Sequence, residues 1–166
     1  MKIFMTLSLI NCLIVSNVAK LLSRCEVANK LSDEGLDGYD GYSLENWVCL
    51  AFFASKFNTT AEHKEEDGST SYGIFQINSK EWCTNHEEHS RNRCHHLCSG
   101  TVGLAPSNLD KPPNFPTYFQ SSDLSNSIEC AKKIIKEKEG MGHWYVWKEN
   151  CQNSHGLKRW LYRCDE

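Results

Sequence analysis

The clearest pattern of hydrophobic and polar positions lies in the middle of the chain, between Ser71 and Ser79. Apolar and polar residues alternate through this stretch, which follows the turn signal Asp67-Gly68-Ser69. Alternation with a period of two is typical of a half-buried strand. Because residues 59–79 contain the other turn signals of a hairpin, we predict a small β-sheet in this region.

Helical periodicity predicts two helices before this sheet. Between Arg24 and Leu31 apolar residues recur on one face, and Gly35 follows as a stop signal. Ser43 is a favourable N-cap for a longer helix that ends near Lys56. Most of the second helix is apolar, which predicts that it is largely buried.

After the sheet, Ser122 or Asp123 is predicted to cap a third helix that has an apolar stripe and lysines in its last turns. The stripe consists of Leu124, Ile128, Ala131, Ile134 and Ile135. Gly140-Met141-Gly142 breaks this helix, and residues 143–148 are predicted to form another. Helices at both ends with one short sheet between them indicate an α+β domain.

Residues 1–19 have the pattern of a secretory signal peptide, with Lys2, an apolar run and Ala19 at a cleavage point. A membrane anchor is the alternative, but the uninterrupted apolar run is short for a helix that spans a bilayer. The whole chain carries a net charge of −3, which becomes more negative when Lys2 is removed. Since no basic face is available for phosphates, nucleic acid is not an expected partner.

The chain has nine cysteines, of which Cys12 leaves with the signal peptide. An even number in a secreted chain predicts four disulfides, although counting alone leaves roughly a hundred connectivities open. The segment Cys94-His95-His96-Leu97-Cys98, with His86 and His89 nearby, has a second interpretation as a metal site. An oxidising compartment favours disulfides, so we predict no metal here.

Two further segments carry their own signals. Residues 100–120 hold all four prolines of the chain and predict an irregular loop, either a partner-binding segment or a passive insertion. Asn58-Thr59-Thr60 matches the acceptor sequence for N-glycosylation, which predicts a glycoprotein modified at Asn58.

Several motifs together resemble the C-type lysozyme and α-lactalbumin family, glycosyl hydrolase family 22, over almost all of the chain after residue 19. The residues that carry the resemblance are Arg24-Cys25-Glu26, Gly35-Leu36-Asp37-Gly38-Tyr39, Ser43-Leu44-Glu45-Asn46-Trp47-Val48-Cys49-Leu50-Ala51, Asp67-Gly68-Ser69-Thr70, Tyr72-Gly73-Ile74-Phe75-Gln76-Ile77-Asn78-Ser79, Cys130-Ala131-Lys132-Lys133-Ile134, and Trp144 and Trp147 before Cys151.

The resemblance implies a lysozyme-like domain over residues 20–166, with residues 100–120 as a Pro-rich insertion. The implied fold is α+β, with a helical lobe and a small antiparallel β-sheet lobe around a cleft. The family's disulfide scheme implies the pairs Cys25–Cys164, Cys49–Cys151, Cys83–Cys98 and Cys94–Cys130.

The resemblance also locates the catalytic positions. Glycosidases usually place two carboxyl groups at the scissile bond, one as the acid and one as the nucleophile. The family's acid position is Ala54 and its nucleophile position is Ser71, so neither carboxyl group is present. Ser71 would need a base to act as a nucleophile itself, and no such arrangement is assignable. The other acids of this region, Glu45, Glu62, Glu65, Glu66 and Asp67, are expected to be solvated surface charges.

Sugar binding is separate from hydrolysis. Family positions that line the cleft are Gln76, Asn78, Trp82, Glu137 and Trp144, and the indole rings suit pyranose faces. The alternative for Gln76 and Trp144 is a packing role with internal hydrogen bonds. Glu81 stands where the family commonly has an aromatic platform, which weakens the expectation on that side.

The α-lactalbumin branch has also lost the acid and binds calcium before the cysteine that matches Cys130. The corresponding positions here are Ser121, Asn126 and Ser127, which carry no charge, and Asp123 alone is a poor calcium site. We therefore predict no bound calcium and no cofactor.

The leading hypothesis is a secreted, monomeric lysozyme-like protein without muramidase activity. It would bind N-acetylglucosamine-containing glycans or a cell-surface protein, and it resembles the lysozyme-like proteins of the sperm acrosome. One alternative is a bacteriolytic lysozyme that hydrolyses peptidoglycan β-1,4 linkages. The other is an α-lactalbumin-like modulator of a glycosyltransferase.

Overall fold

The structure is a computed structural model that describes residues 21–85, 89–99 and 119–164. The predicted signal peptide with Cys12, His86, and residues 100–118 of the predicted insertion lie outside this range. Over the described residues, no helix is both long enough and apolar enough to cross a membrane.

The predicted α+β class and lysozyme-like fold are confirmed. The α-helices are α1 (Arg24–Asp33), α2 (Leu44–Ser55), α3 (Ser125–Ile134) and α4 (Tyr145–Asn150), and short 3-10 helices span Tyr39–Gly41, Gly140–His143 and Leu157–Trp160. The strands β1 (Glu62–Lys64), β2 (Thr70–Tyr72) and β3 (Ile77–Asn78) form an antiparallel sheet in the order β1-β2-β3. A second, parallel pair joins β4 (Cys83–Thr84) to β5 (His96–Leu97), which the sequence pattern did not predict.

Helix α1 begins and ends where local chemistry dictates. The Ser23 hydroxyl accepts the Glu26 N–H and the Glu26 carboxylate accepts the Ser23 N–H, which forms a capping box. The chain leaves the helix through Gly35, whose φ of +72° is in the left-handed region. Val27 and Leu31 are fully buried against α2 and the rest of the core.

Helix α2 runs through the centre of the core and delivers Ala54 to its last turn. Ser43 is the N-cap residue, as predicted, but its hydroxyl does not cap the helix. The carboxylate of Asp37 accepts the Leu44 N–H at 3.1 Å instead. The helix ends at Lys56, which takes a left-handed conformation with φ of +55°.

The starts of α3 and α4 differ from the prediction. Leu124, not Ser122 or Asp123, occupies the N-cap position of α3, while the Asp123 carboxylate accepts the N–H of Ser125 from one residue further out. Residues 143–148 are not one helix, because His143 ends a 3-10 helix and Trp144 is the N-cap of α4. Gly140, with φ of +56°, separates these elements from α3, as predicted.

The disulfide scheme implied by the resemblance is confirmed. The structure contains Cys25–Cys164, Cys49–Cys151, Cys83–Cys98 and Cys94–Cys130. The metal interpretation of residues 94–98 is wrong, because both cysteines are consumed by disulfides and their thiolates are unavailable to a metal.

The C-terminal end of the predicted loop 100–120 is described by the structure, and it is packed against the rest of the domain. Phe119 is fully buried in the core, and its N–H donates to the Cys98 carbonyl oxygen at 3.3 Å. The Gln120 side chain donates to the Thr60 carbonyl oxygen at 3.1 Å. The chain therefore returns at residue 119 to the place it left after residue 98, beside the antiparallel sheet.

Candidate functional site

A cleft of about 640 Å³ lies between the end of α2, the β1–β2 hairpin and the segment that precedes α4. The helix side contributes Phe53, Ala54 and Lys56, and the sheet side contributes Glu65 and Gln76. Segment 143–146 closes the back with His143, Trp144, Tyr145 and Val146. The cleft thus has one largely apolar wall and one polar wall.

Ala54 presents a methyl group at the centre of the helix wall. Its neighbour Trp144 is 8% exposed, and the Trp144 indole N–H donates to the Phe75 carbonyl oxygen at 2.7 Å. An acid in these surroundings would have a raised pKa, because desolvation disfavours the charged form. The surroundings of Ala54 are therefore apolar enough to raise the pKa of an acid, but Ala54 has no carboxyl group.

Ser71 lies on β2, is 5% exposed, and is not among the described residues that line this cleft. Its hydroxyl donates to the Glu65 Oε1 atom at 2.6 Å, and the Asn78 amide nitrogen lies 3.5 Å from the same hydroxyl oxygen. A serine hydroxyl is uncharged, so the negative charge next to Ser71 is that of Glu65.

The expectation that Glu65 is a solvated surface charge is wrong. The hairpin between β1 and β2 closes through the hydrogen bond from the Glu65 N–H to the Ser69 carbonyl oxygen (2.9 Å). Since Ser71 pairs with His63 in the register, Glu65 lies diagonally across from Ser71 on the same face. Glu65 is half-buried and lines the cleft. Its carboxylate has no Lys or Arg within 4.0 Å over the described residues. The structure therefore supplies a carboxylate that the sequence pattern did not assign to the cleft.

The other acids of the region differ from Glu65. Glu66 and Asp67 are exposed at the hairpin tip, and Glu45 is partly buried in the first turn of α2, away from the cleft lining. Hydrogen bonds from Ser69 and the Lys80 ammonium, 2.9 Å away, hold the pKa of Asp67 well below its usual range. Glu62 is exposed but reaches the cleft from β1.

Of the five predicted sugar contacts, Gln76 and Trp144 line the cleft. The Gln76 amide nitrogen donates to the carbonyl oxygens of Gly73 (2.9 Å) and Ala61 (3.2 Å), so its donors are engaged within the protein, as those of Trp144 are. Asn78, Trp82 and Glu137 are not among the residues that line this cavity in the described part of the chain. Asn78 instead donates to the Ser69 hydroxyl at 2.7 Å.

Trp82 and Glu137 lie beyond His143, at what we call the outer end of the cleft. The Trp82 ring meets the edge of the His143 ring with centroids 6.2 Å apart. Arg93 places its guanidinium carbon 4.4 Å from the Trp82 ring centroid and forms an ion pair with Glu137. Glu81, in the place of the aromatic platform, pairs with Arg91 at 3.1 Å.

The positions that correspond to the calcium ligands are engaged by the protein itself. The Ser127 hydroxyl is buried and donates to the Phe119 carbonyl oxygen at 3.2 Å, and the Ser121 hydroxyl accepts the Asp123 N–H at 3.1 Å. Asn58 of the glycosylation sequence is partly buried, and its side-chain oxygen accepts from the N–H and the hydroxyl of Thr60 at 2.9 and 3.0 Å.

The fold and the cleft define a lysozyme-like protein, and comparisons with known proteins agree. The model of the C-type lysozyme/alpha-lactalbumin family matches residues 20–105 and 116–164. Lysozyme-like protein 4 of Homo sapiens is 46% identical over 165 residues, which are 99% of both chains. Sperm acrosome membrane-associated protein 3 of Mus musculus is 42% identical over 157 residues, 95% of this chain and 62% of that one.

Among solved structures, the lysozyme from Equus asinus superposes with a TM-score of 0.73 at 36% identity, and the match covers 87% of this chain and 98% of that chain. The chain belongs to the C-type lysozyme/alpha-lactalbumin family.

Proposed function

We propose that this protein is a secreted glycan-binding protein whose cleft holds saccharides without hydrolysing peptidoglycan. The observation that carries the proposal is the open cleft beside Ala54, the position to which the resemblance assigns the acid, together with Ser71, which reaches the cleft only through its hydrogen bond to Glu65. A methyl group and a hydroxyl that donates to Glu65 replace the acid and the nucleophile. The cleft is therefore large enough to bind a ligand, but the two carboxyl groups of the usual mechanism are absent from these positions.

The expected loss of rate is large. General acid catalysis alone contributes about 10²–10⁴-fold, and Ala54 has no proton to donate. Glu62 and Glu65 both line the cleft, but both come from the sheet side, and among the described residues the helix wall contributes no carboxyl group, whereas the usual mechanism places one on each side of the scissile bond. Hydrolysis by Glu65 with an unconventional acid is the second candidate, since its carboxylate does line the cleft.

The cleft suits a short saccharide. Its volume falls in the range of small-molecule sites, which are typically about 300–1,000 Å³. Phe53, Trp144 and Val146 offer apolar surface for the face of a pyranose ring, and Glu65 and His63 offer hydrogen-bonding groups for hydroxyls. A ligand that uses both walls would be oriented by the polar one.

A protein partner is a further candidate, including modulation of a glycosyltransferase. Tyr145 supports it, because its side chain lies on the cleft rim and the residue is 69% exposed. The name of the mouse acrosomal relative supports a location in a secretory compartment of sperm. We extend both points to this protein as proposals.

The test is calorimetric titration of the disulfide-intact protein with N-acetylglucosamine oligomers. We expect measurable binding that Glu65→Gln changes and Glu66→Gln does not, since these neighbours differ in that only Glu65 lines the cleft. No heat at millimolar ligand would contradict glycan binding and favour the protein partner. Equal effects of the two substitutions would place the saccharide outside this cleft.

A further inference from the structure

At the outer end of the cleft lie Trp82 and Glu137, which the resemblance identifies as sugar-binding positions. Both are in contact with Arg93 of the same chain. Trp82 is 8% exposed, and the Arg93 guanidinium carbon lies 4.4 Å from its ring centroid. The same guanidinium forms an ion pair with Glu137. One arginine therefore covers the aromatic face and neutralises the carboxylate.

The backbone fixes Arg93 in this position. Its N–H donates to the Glu81 carbonyl oxygen at 3.0 Å, and the next residue, Cys94, donates to the Trp82 carbonyl oxygen at 3.0 Å. The Cys94–Cys130 disulfide ties the same segment to α3, and Glu137 follows α3 in the chain. Arg93 thus connects Trp82, on the sheet side, with Glu137, on the helix side, at the outer end of the cleft.

An arginine is chemically suited to this role. Its planar guanidinium stacks on an indole face while its donors reach a carboxylate, so both contacts form together. A pyranose ring needs the same face of the indole and would compete directly with the guanidinium. The open cavity, whose lining includes His143 but not Trp82 or Glu137, agrees with this occupancy.

We infer that Arg93 is a specificity-determining residue that occupies the saccharide-stacking face of Trp82 and limits the cleft to short oligosaccharides held beside Trp144. This inference rests on the proposed glycan binding for its ligand class. It adds that the outer subsite is present in the sequence but filled by the protein's own side chain. Longer oligomers must displace Arg93 or project into solvent.

The test compares Arg93→Ala with Arg91→Ala, a matched variant whose arginine pairs with Glu81 at 3.1 Å but does not lie on Trp82. Chitobiose, chitotriose and chitotetraose are titrated into the wild type and both variants. We expect the affinity of the wild type and of Arg91→Ala to be independent of length beyond the disaccharide. Arg93→Ala should bind the tetrasaccharide roughly fivefold to tenfold more tightly than the wild type does.

The second measurement is the indole N–H signal of Trp82 in ¹H–¹⁵N spectra, assigned with Trp82→Phe. We expect chitotetraose to shift this signal in Arg93→Ala and not in the wild type. A gain in Arg93→Ala upholds the inference even if the wild type binds no sugar, a result that would contradict only the proposed function. Length-dependent binding by the wild type, or no gain in Arg93→Ala, would overturn the inference.

Discussion

The two ends of the cleft have departed from a sugar-hydrolysing site in opposite ways. At the inner end, Ala54 and Ser71 stand at the positions to which the resemblance assigns the acid and the nucleophile, and the cleft beside Ala54 is open. At the outer end, Trp82 and Glu137 are retained in type, but Arg93 fills the space between them. A site can therefore be lost through its residues or through its neighbours, and a retained residue does not by itself mean a retained site.

The largest effect should come from restoring the inner end. Ala54→Glu/Ser71→Asp places a new carboxylate beside Glu65, whose Oε1 atom is 2.6 Å from the Ser71 hydroxyl. Two carboxylates this close cannot both ionise easily, so the double variant should remain weak. Adding Glu65→Gln removes the conflict and should raise bacterial wall lysis by at least about 10²-fold over the wild type. Clear lysis by the wild type itself would overturn the assignment of Ala54 and Ser71 as an inactive pair.

The next effect concerns the sheet wall of the inner end. Gly73 has φ of +73°, and a Cβ added there would lie 2.7 Å from the Phe119 carbonyl oxygen. We expect Gly73→Ala to lower the free energy of unfolding by at least about 3 kcal/mol, because backbone strain and a steric clash combine. Urea denaturation measures this change.

Gly68→Ala is the control for this substitution. Gly68 has φ of +87° but no atom within 4 Å of an added Cβ, so only strain of about 1 kcal/mol is expected. An equal decrease in the free energy of unfolding in the two variants would mean that the Phe119 carbonyl oxygen does not clash with a Cβ atom at position 73.

A smaller effect concerns how the free energy of unfolding depends on pH through His96, on β5. Burial lowers the pKa of His96, while the Glu129 carboxylate nearby partly opposes that shift. A lowered pKa means that the unfolded chain binds the proton more readily, so the unfolding free energy falls as pH drops below about 6.5. One proton limits the slope to about 1.4 kcal/mol per pH unit.

His96→Gln should flatten this slope between pH 7 and pH 5, measured by urea denaturation at each pH. His95→Gln is the control, since His95 is exposed whereas His96 packs edge-on against Phe119. A slope that survives in His96→Gln would assign the pH dependence to other groups.

The smallest effect separates binding from stability at the outer end. Arg93 and Glu137 are each about two-fifths exposed, and exposed ion pairs contribute about 0–1 kcal/mol. Arg93→Ala should therefore change the free energy of unfolding by less than about 1 kcal/mol, as Arg91→Ala should. A much larger loss in Arg93→Ala alone would mean that the bridge holds the two lobes together and would confound its effect on ligand length.

The elements with strong local signals were predictable. The helical pattern of α1, which a capping box at Ser23 supports, and the apolar run of α2 each depend on neighbours within a few residues, so the pattern and the element agree. The alternation from Ser71 to Ser79 predicted the sheet but not its form, because the stretch consists of the end of β2, a turn and β3, and β2 is buried at every position. The boundaries of α3 and α4 were less predictable. Leu124 occupies the N-cap position of α3, although the side chain that accepts the N–H of Ser125 belongs to Asp123. A 3-10 helix ends at His143, and Trp144 is the N-cap of α4.

The candidate site also has features that the sequence predicts and features that it does not. That neither Ala54 nor Ser71 carries a carboxyl group is plain from the sequence, and the resemblance alone implies that these are the catalytic positions. The presence of Glu65 in the cleft did not follow, since the hairpin closure that returns it to Ser71 is a contact across six residues. Phe119 was likewise taken as part of a loop, because its burial depends on partners such as Cys98 and His96.

The sequence by itself determined the fold class, the disulfide scheme through the resemblance, and the lack of a carboxyl group at Ala54 and at Ser71. Tertiary structure alone decided that Glu65 reaches Ser71, that Phe119 belongs to the core, and that Arg93 lies between Trp82 and Glu137. The physical reason is the range of the interactions. Periodicity and caps act over one or two turns, whereas Arg93 meets Glu137 across 44 residues, after a disulfide and two hydrogen bonds have fixed its direction.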